Sequence, residues 1–382
     1  MRRFVVLLPW LVAGCPSGGA KPAAAPATVA TRDDEIGLAR LVTELTDDIL
    51  ASYDRDEPPD LDTGMIDSRV GTARIGAGPD DVYIAGDLAR APSRWPLAVG
   101  RMTSTEVRSK RLAIQIAADQ SAAWMADELS WRIEACGRTA VIPLRITALY
   151  AHDGDRWVPV FEHLSFGTPP ALETAATKPI KSEVISGDLE TQLKGVVERG
   201  LLGVPHDPLV VAQDPAAMAL GPDAGDEWHG AQVLAASILP GKLEDRRIGT
   251  VGRSPRDPLV AYWVGTYTAD LPARGERAAG KVGMRVTLVF EKRPFAQGAG
   301  KAPDAQACAK DARSRARDVE CRWILVQSHL SQPITDDELA QRVFGSALIA
   351  AAPLQLDCSD RVPRAPAVAP RPGSRPPAVR TP

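Results

Sequence analysis

The sequence predicts an α+β protein built from two tandem domains. Two segments share one hairpin pattern. Arg145-Ile146-Thr147 opens the first and Arg285-Val286-Thr287 the second. Each later carries a Trp followed six residues on by His-Leu-Ser: Trp157 and His163 in one, Trp323 and His329 in the other. An amphipathic helical stretch precedes each hairpin, and a helix followed by long antiparallel strands is an α+β order. At 382 residues the chain also exceeds what one hydrophobic core usually organises.

In the first domain, residues 31–166, Thr31 can cap a helix whose apolar face is Leu38, Val42, Leu45 and Ile49. Pro, Asp and Gly break the pattern at residues 55–65. Short strands are expected at Val70–Ile75 and Val82–Ile84, around a Gly-Pro-Asp-Asp turn. Longer ones follow at Arg111–Ile116 and Ala122–Ile133. The hairpin then runs from Pro143 to Tyr150, turns at His152-Asp153-Gly154-Asp155, and returns from Arg156 to Ser165. Strand alternation puts Trp157, Phe161, His163 and Ser165 on one face, with Val158, Val160, Glu162 and Leu164 on the other.

Residues 167–185 read as a linker, and the second domain occupies 186–350. Ser186 and Asp188 supply a helix start before Leu189, Leu193, Val196 and Val197. ARIGAGPDDVYI of the first domain is matched by AMALGPDAGDEWH, and Pro258–Thr268 corresponds to the strand around Trp124. The second hairpin holds an insertion, 291–320, at its tip, which loop entropy tolerates and which reads as a surface elaboration or a contact loop. Thr335 and Glu338 form a capping box for a last helix. The Pro/Arg-rich tail, 351–382, cannot bury a core.

The N-terminus is a processing segment. Arg2 and Arg3 precede a short apolar run and then Leu11-Val12-Ala13-Gly14-Cys15. This resembles a bacterial lipobox, which implies cleavage after residue 14 and lipidation of Cys15. The expectation is an exported chain anchored to a membrane, through a flexible tether at 16–30. Pro16 stands where an Asp would signal inner-membrane retention, which points toward the outer membrane facing the periplasm. Of the remaining cysteines, Cys136, Cys308, Cys321 and Cys358, the pair Cys308–Cys321 is the candidate disulfide, both lying in or beside the insertion.

A net charge of −3 gives no footprint for nucleic acid. No nucleophile elbow, phosphate loop, dinucleotide fingerprint or HExxH segment occurs, so no cofactor is implied. No Cys/His cluster has zinc spacing, and Asp153 and Asp155 lack the calcium-loop pattern around them, so no metal site is expected.

Arg-aliphatic-Thr, a turn, Trp and His-x-Ser together resemble the last hairpin of SnoaL-like domains in the nuclear transport factor 2-like superfamily. The resemblance covers residues 34–166 and 186–348, with Ser328 standing where the first copy has Glu162. It implies two cone-shaped domains, each a curved antiparallel sheet wrapped around N-terminal helices and holding an apolar pocket. Under that reading Arg145, Trp157, His163, Arg285, Trp323 and His329 are candidate ligand-binding residues, and His163 is a candidate general acid or base. The competing reading is that the His and Ser side chains brace the hairpin and the tryptophans are core. Two functions follow. One is a non-catalytic module of the cell envelope binding a small apolar ligand or a protein, as a monomer with a packed domain pair or as a dimer. The other is a cyclase, isomerase or dehydratase using His163.

Overall fold

The computed structural model describes residues 32–54, 73–84, 103–135, 138–154, 156–167, 179–180, 182–184, 186–200, 217–222, 225–230, 241–251, 258–271, 273, 279–296, 305–308, 319–335 and 338. The signal and Cys15, the tether, Cys136, Cys358, most of the linker, much of the insertion, the body of the last helix and the tail lie outside them.

Helix α1, Arg32–Asp54, comes first. It is followed by β1 (Ala73–Ile75), β2 (Val82–Ile84), β3 (Thr103–Ser109), β4 (Ala113–Ile116), β5 (Ala122–Ala135), β6 (Arg138–Asp153) and β7 (Arg156–Phe166). These seven strands form one sheet in the order β2-β1-β7-β6-β5-β3, with β4 also on β5. Then come β8 (Glu183–Val184), α2 (Gly187–Gly200), β9 (Met218–Leu220), β10 (Glu227–His229), β11 (Gly241–Val251), β12 (Val260–Leu271), β13 (Gly280–Ala296) and β14 (Val319–Ser331). The second sheet has the order β10-β9-β14-β13-β12-β11-β8.

The two hairpins share their register. Thr147 faces His163 across β6–β7, and Thr287 faces His329 across β13–β14. A short strand then adds in parallel to each return strand, β1 beside His163 and β9 beside His329. Both hairpins carry a bulge at the same place, leaving Val160 and Val326 without a partner in the ladder. A bulge inserts one residue and so reverses which face the following side chains take. Trp157 therefore lies on the opposite face from His163, against the plain alternation expected of β7. It belongs to the helix-side core that also holds Leu45, Ile49 and Tyr53 of α1. Trp323 is likewise turned to the helix side, where its indole N–H donates to Gln192 of α2 at 3.0 Å.

Each sheet thus has a helix face and a facing-sheet face. On α1 the buried stripe is Leu45, Ile49 and Tyr53, while Leu38, expected on that stripe, is 43% exposed. Leu189, Leu193, Val196 and Val197 of α2 are buried as their spacing predicts. Ser186 caps α2 by accepting from the Leu189 N–H, and Thr335 accepts likewise from Glu338. The opposite faces of the two sheets meet: Phe161 stacks on Tyr262 at 6.0 Å, and Trp124, Leu149 and Phe161 share one core with Tyr262 and Val289. Cys308 and Cys321 form a disulfide that pins a 3-10 turn, Ala305–Cys308, to β14.

The α+β expectation of two cone-shaped domains, each wrapped around helices, is corrected. Among the described residues the protein is mostly β, two mixed seven-stranded sheets with two α-helices. The reason lies in the strands that sequence pattern hid. TSTEVRS of β3 and GKLEDRRIGTV of β11 are polar, and they owe their extended form to pairing with β5 and β12 rather than to apolar alternation.

Close approach fixes one glycine in that pairing. At the bulge of β11 the Asp245 carbonyl passes 2.1 Å from where a Cβ on Gly265 would sit. Thr266 holds the bulge through the Asp245 N–H and carboxylate. Because the obstacle is backbone, Gly265→Ala is expected to lower stability by about 2 kcal/mol or more. Urea denaturation would check this, and an unchanged midpoint would contradict it.

Candidate functional site

The polar residues of the repeated motif converge at one place, between the sheets. His163 and His329 stack with ring centroids 3.9 Å apart and planes 22° from parallel. Each reaches the hydroxyls of the opposite sheet. His163 bonds Thr287 through Nδ1 at 2.9 Å and Ser331 through Nε2 at 2.7 Å. His329 bonds Thr147 through Nδ1 at 3.0 Å and Ser165 through Nε2 at 2.8 Å. A neutral imidazole donates through one nitrogen and accepts through the other, and a hydroxyl does either, so every ring nitrogen is satisfied.

The arginines of the motif cross in the same manner. Arg145 Nη1 donates to the Gly221 carbonyl at 2.6 Å, in the β9–β10 turn. Arg285 donates to the Gly76 and Pro79 carbonyls at 2.8 and 2.6 Å, in the β1–β2 turn. Those turns are closed alike, by Gly76 N–H to Asp81 O and Gly221 N–H to Asp226 O, both at 2.8 Å. A Cβ on either glycine would meet the Asp side chain at 2.7 Å, so both turns require glycine.

All of these side chains are withdrawn from solvent, with His163, His329 and Arg285 at 0% exposure. Burial holds the His163 imidazole well below its ordinary range, assisted by the His329 ring and the Arg285 charge. Burial lowers His329 to about 3, with Arg145 adding repulsion. Arg285 falls to about 10 through burial, opposed by Asp81, Asp80 and Tyr83, and so stays a cation at neutral pH.

The candidate residues therefore separate. His163, His329, Arg145 and Arg285 meet at the sheet interface, while Trp157 and Trp323 lie on the two helix faces. Trp157 lies against His152, with ring centroids 4.5 Å apart, rather than in the His163–His329 stack. The partners that sequence reasoning missed are the hydroxyls Thr147, Thr287, Ser165 and Ser331 and the turn carbonyls. The recurrence of Arg-x-Thr and His-x-Ser marked these residues, but not that each copy serves the other. Among the described residues no group of three or more His, Cys, Asp or Glu side chains could hold a metal ion.

A separate buried carboxylate lies on the helix face of the first sheet. Asp127 is buried and accepts from Tyr53 OH and the Arg111 N–H at 3.1 Å each. Burial raises its carboxyl, against bonds from Ser109, Arg111, Tyr53 and Lys110. These bonds fasten α1 and the β3–β4 connection to β5, a structural task. The corresponding position in the second sheet is Gly265.

No known protein family matches the chain, and no curated protein does. Solved structures to which it is similar include nuclear transport factor 2-like proteins. One of unknown function from Prochlorococcus marinus is 11% identical over 33% of this chain and 94% of its own, with a TM-score of 0.23. One from Rhodospirillum rubrum, of unknown function in nutrient uptake, is 14% identical over 34% of this chain and 97% of its own, at 0.21. One involved in plasmid conjugation is 11% identical over 62% of this chain and 79% of its own, at 0.19. At these scores the functional reading rests on the chain's own geometry.

If the crossed bonds act as pairs, a double-mutant cycle between His163→Ala and Thr287→Ala should give a coupling of about 1 kcal/mol in chemical denaturation. Strict additivity of the two substitutions would contradict the pairing.

Proposed function

We propose that this chain is a non-catalytic binding module of the cell envelope, a fused pair of SnoaL-like units exported and held at a membrane through lipidated Cys15. The observation that carries the reading is where the repeated polar motif is spent. Its histidines, arginines and hydroxyls are committed to one another across the two sheets and are closed to solvent. A general acid or base must reach a reacting atom, whereas His163 has both nitrogens engaged by Thr287 and Ser331. The alternative of a cyclase, isomerase or dehydratase using His163 has no observation in its favour. The shared register and the reciprocal arginine contacts support internal duplication: each unit presents to the other the face that a symmetric dimer would use. Binding of a small apolar ligand or an envelope protein then falls to surfaces outside this interface, and the outer membrane facing the periplasm remains the proposed location.

One experiment tests the parts together. The full chain and a Cys15→Ser variant are expressed in an exporting bacterial host, fractionated, and examined by native mass spectrometry after gentle release. The proposal expects the parent chain with membranes, the variant in the soluble fraction, and a retained ligand or protein recovered chemically unchanged. Equal partition of the two chains would remove the lipid anchor. Turnover of a retained molecule that is lost in His163→Gln would remove the non-catalytic reading.

A further inference from the structure

We propose that the stacked His163–His329 pair is an acid-sensitive latch, which holds the two sheets face to face at neutral pH and releases them when both rings take a proton. This rests on reading the pair as a fastening between the sheets. Two observations carry it. The rings lie 3.9 Å apart at 0% exposure, so a proton on one must be held beside the other. The ionisable groups around them supply no counter-charge by hydrogen bond. Facing the pair are the Arg145 guanidinium on β6 and the Arg285 guanidinium on β13, both cations bonded to carbonyls of the opposite sheet. Arg247 on β11 is buried on the same side of the second sheet. The carboxylates nearby answer the arginines. Glu128 on β5 is 3.9 Å from Arg145, and Asp80, Asp81 and Tyr83 act on Arg285 from the β1–β2 turn. Asp226 closes the turn whose Gly221 carbonyl takes Arg145. The ring partners are hydroxyls alone. These can accept from an imidazolium, so what opposes the proton is buried charge rather than a lost hydrogen bond.

The sign follows from linkage. Closed, the imidazoles are held below their ordinary range, His329 at about 3. Open, they regain the ordinary value of about 6.5. Above that pH both states are neutral and closure does not depend on pH. As pH falls below it, the open state binds protons that the closed state refuses, and closure weakens until the folded value is reached. Two such groups shift the open-to-closed ratio by up to about 100-fold per pH unit, and one by up to about 10-fold. The first sheet has a helix-side core of Leu45, Ile49, Met125, Trp131 and Ile146 that is separate from the core at the interface. Release would bare Trp124, Leu149, Phe161 and Tyr262, an apolar face of the kind that binds partners.

The test uses the full chain with its tryptophans fluorinated. Trp124 lies between the sheets at 3% exposure and reports opening by fluorine NMR. Scattering reports the radius of gyration, and far-UV circular dichroism reports the strands. From pH 7.5 to 4.5 the latch predicts exposure of Trp124 and expansion with strand content kept. The slope should approach two protons, drop to one in His329→Gln, and vanish in His163→Gln/His329→Gln. If the double variant does not fold, the slope of the single variant decides. Trp124 remaining buried to pH 4.5, an undiminished slope in the variants, or loss of strands together with opening would each overturn the latch. Variants as stable as the parent at pH 7.5 would instead overturn the fastening on which it rests.

Discussion

The structure depends on one constraint: two imidazoles share a dry space between two sheets, and each must find its hydrogen bonds in the other sheet. A buried polar group without a partner costs on the order of 1–3 kcal/mol. His163 meets that demand with Thr287 and Ser331, and His329 with Thr147 and Ser165. Neither sheet could bury this face alone without leaving its own Arg, Thr, His and Ser unsatisfied. The arginines enforce the same dependence, since Arg145 and Arg285 each close on a turn belonging to the opposite sheet. The polar bonds set the register of the pairing. Phe161 on Tyr262 and the surrounding apolar core supply much of its free energy.

The bulges at Val160 and Val326 are what make this arrangement possible. Without them Trp157 and His163 would share a face, and a large indole would have to fit between the sheets. With them the tryptophan joins the helix-side core and the histidine turns to the opposite sheet. One inserted residue in each return strand thus assigns the hydrophobic and the polar halves of the motif to separate tasks.

Much of the chain was legible from sequence. The His152-Asp153-Gly154-Asp155 turn marked the first hairpin, and Gly154 does take a positive φ of 69°. The amphipathic stretch from Leu189 to Val197 became α2. Other features were hidden for identifiable reasons. β3 and β11 are polar segments whose extended form comes from pairing with β5 and β12 rather than from their own pattern. The bulges leave no mark in a simple alternation. The site was legible only as a list of residue types, because Arg-x-Thr and His-x-Ser state which groups recur and not that each set is satisfied by the other. That reciprocity exists only once two sheets are brought together.

The central claim is that the two sheets form one cooperative body. It is tested most directly by segment-resolved hydrogen exchange in rising urea at neutral pH, comparing the ladder amides of β5–β7 with those of β12–β14. The account predicts that both sets lose protection at one urea concentration, since at neutral pH the interface is closed and each sheet's buried His and Arg side chains take their partners from the other. Loss of one set well before the other would contradict it, and would make the two sheets independent units in contact.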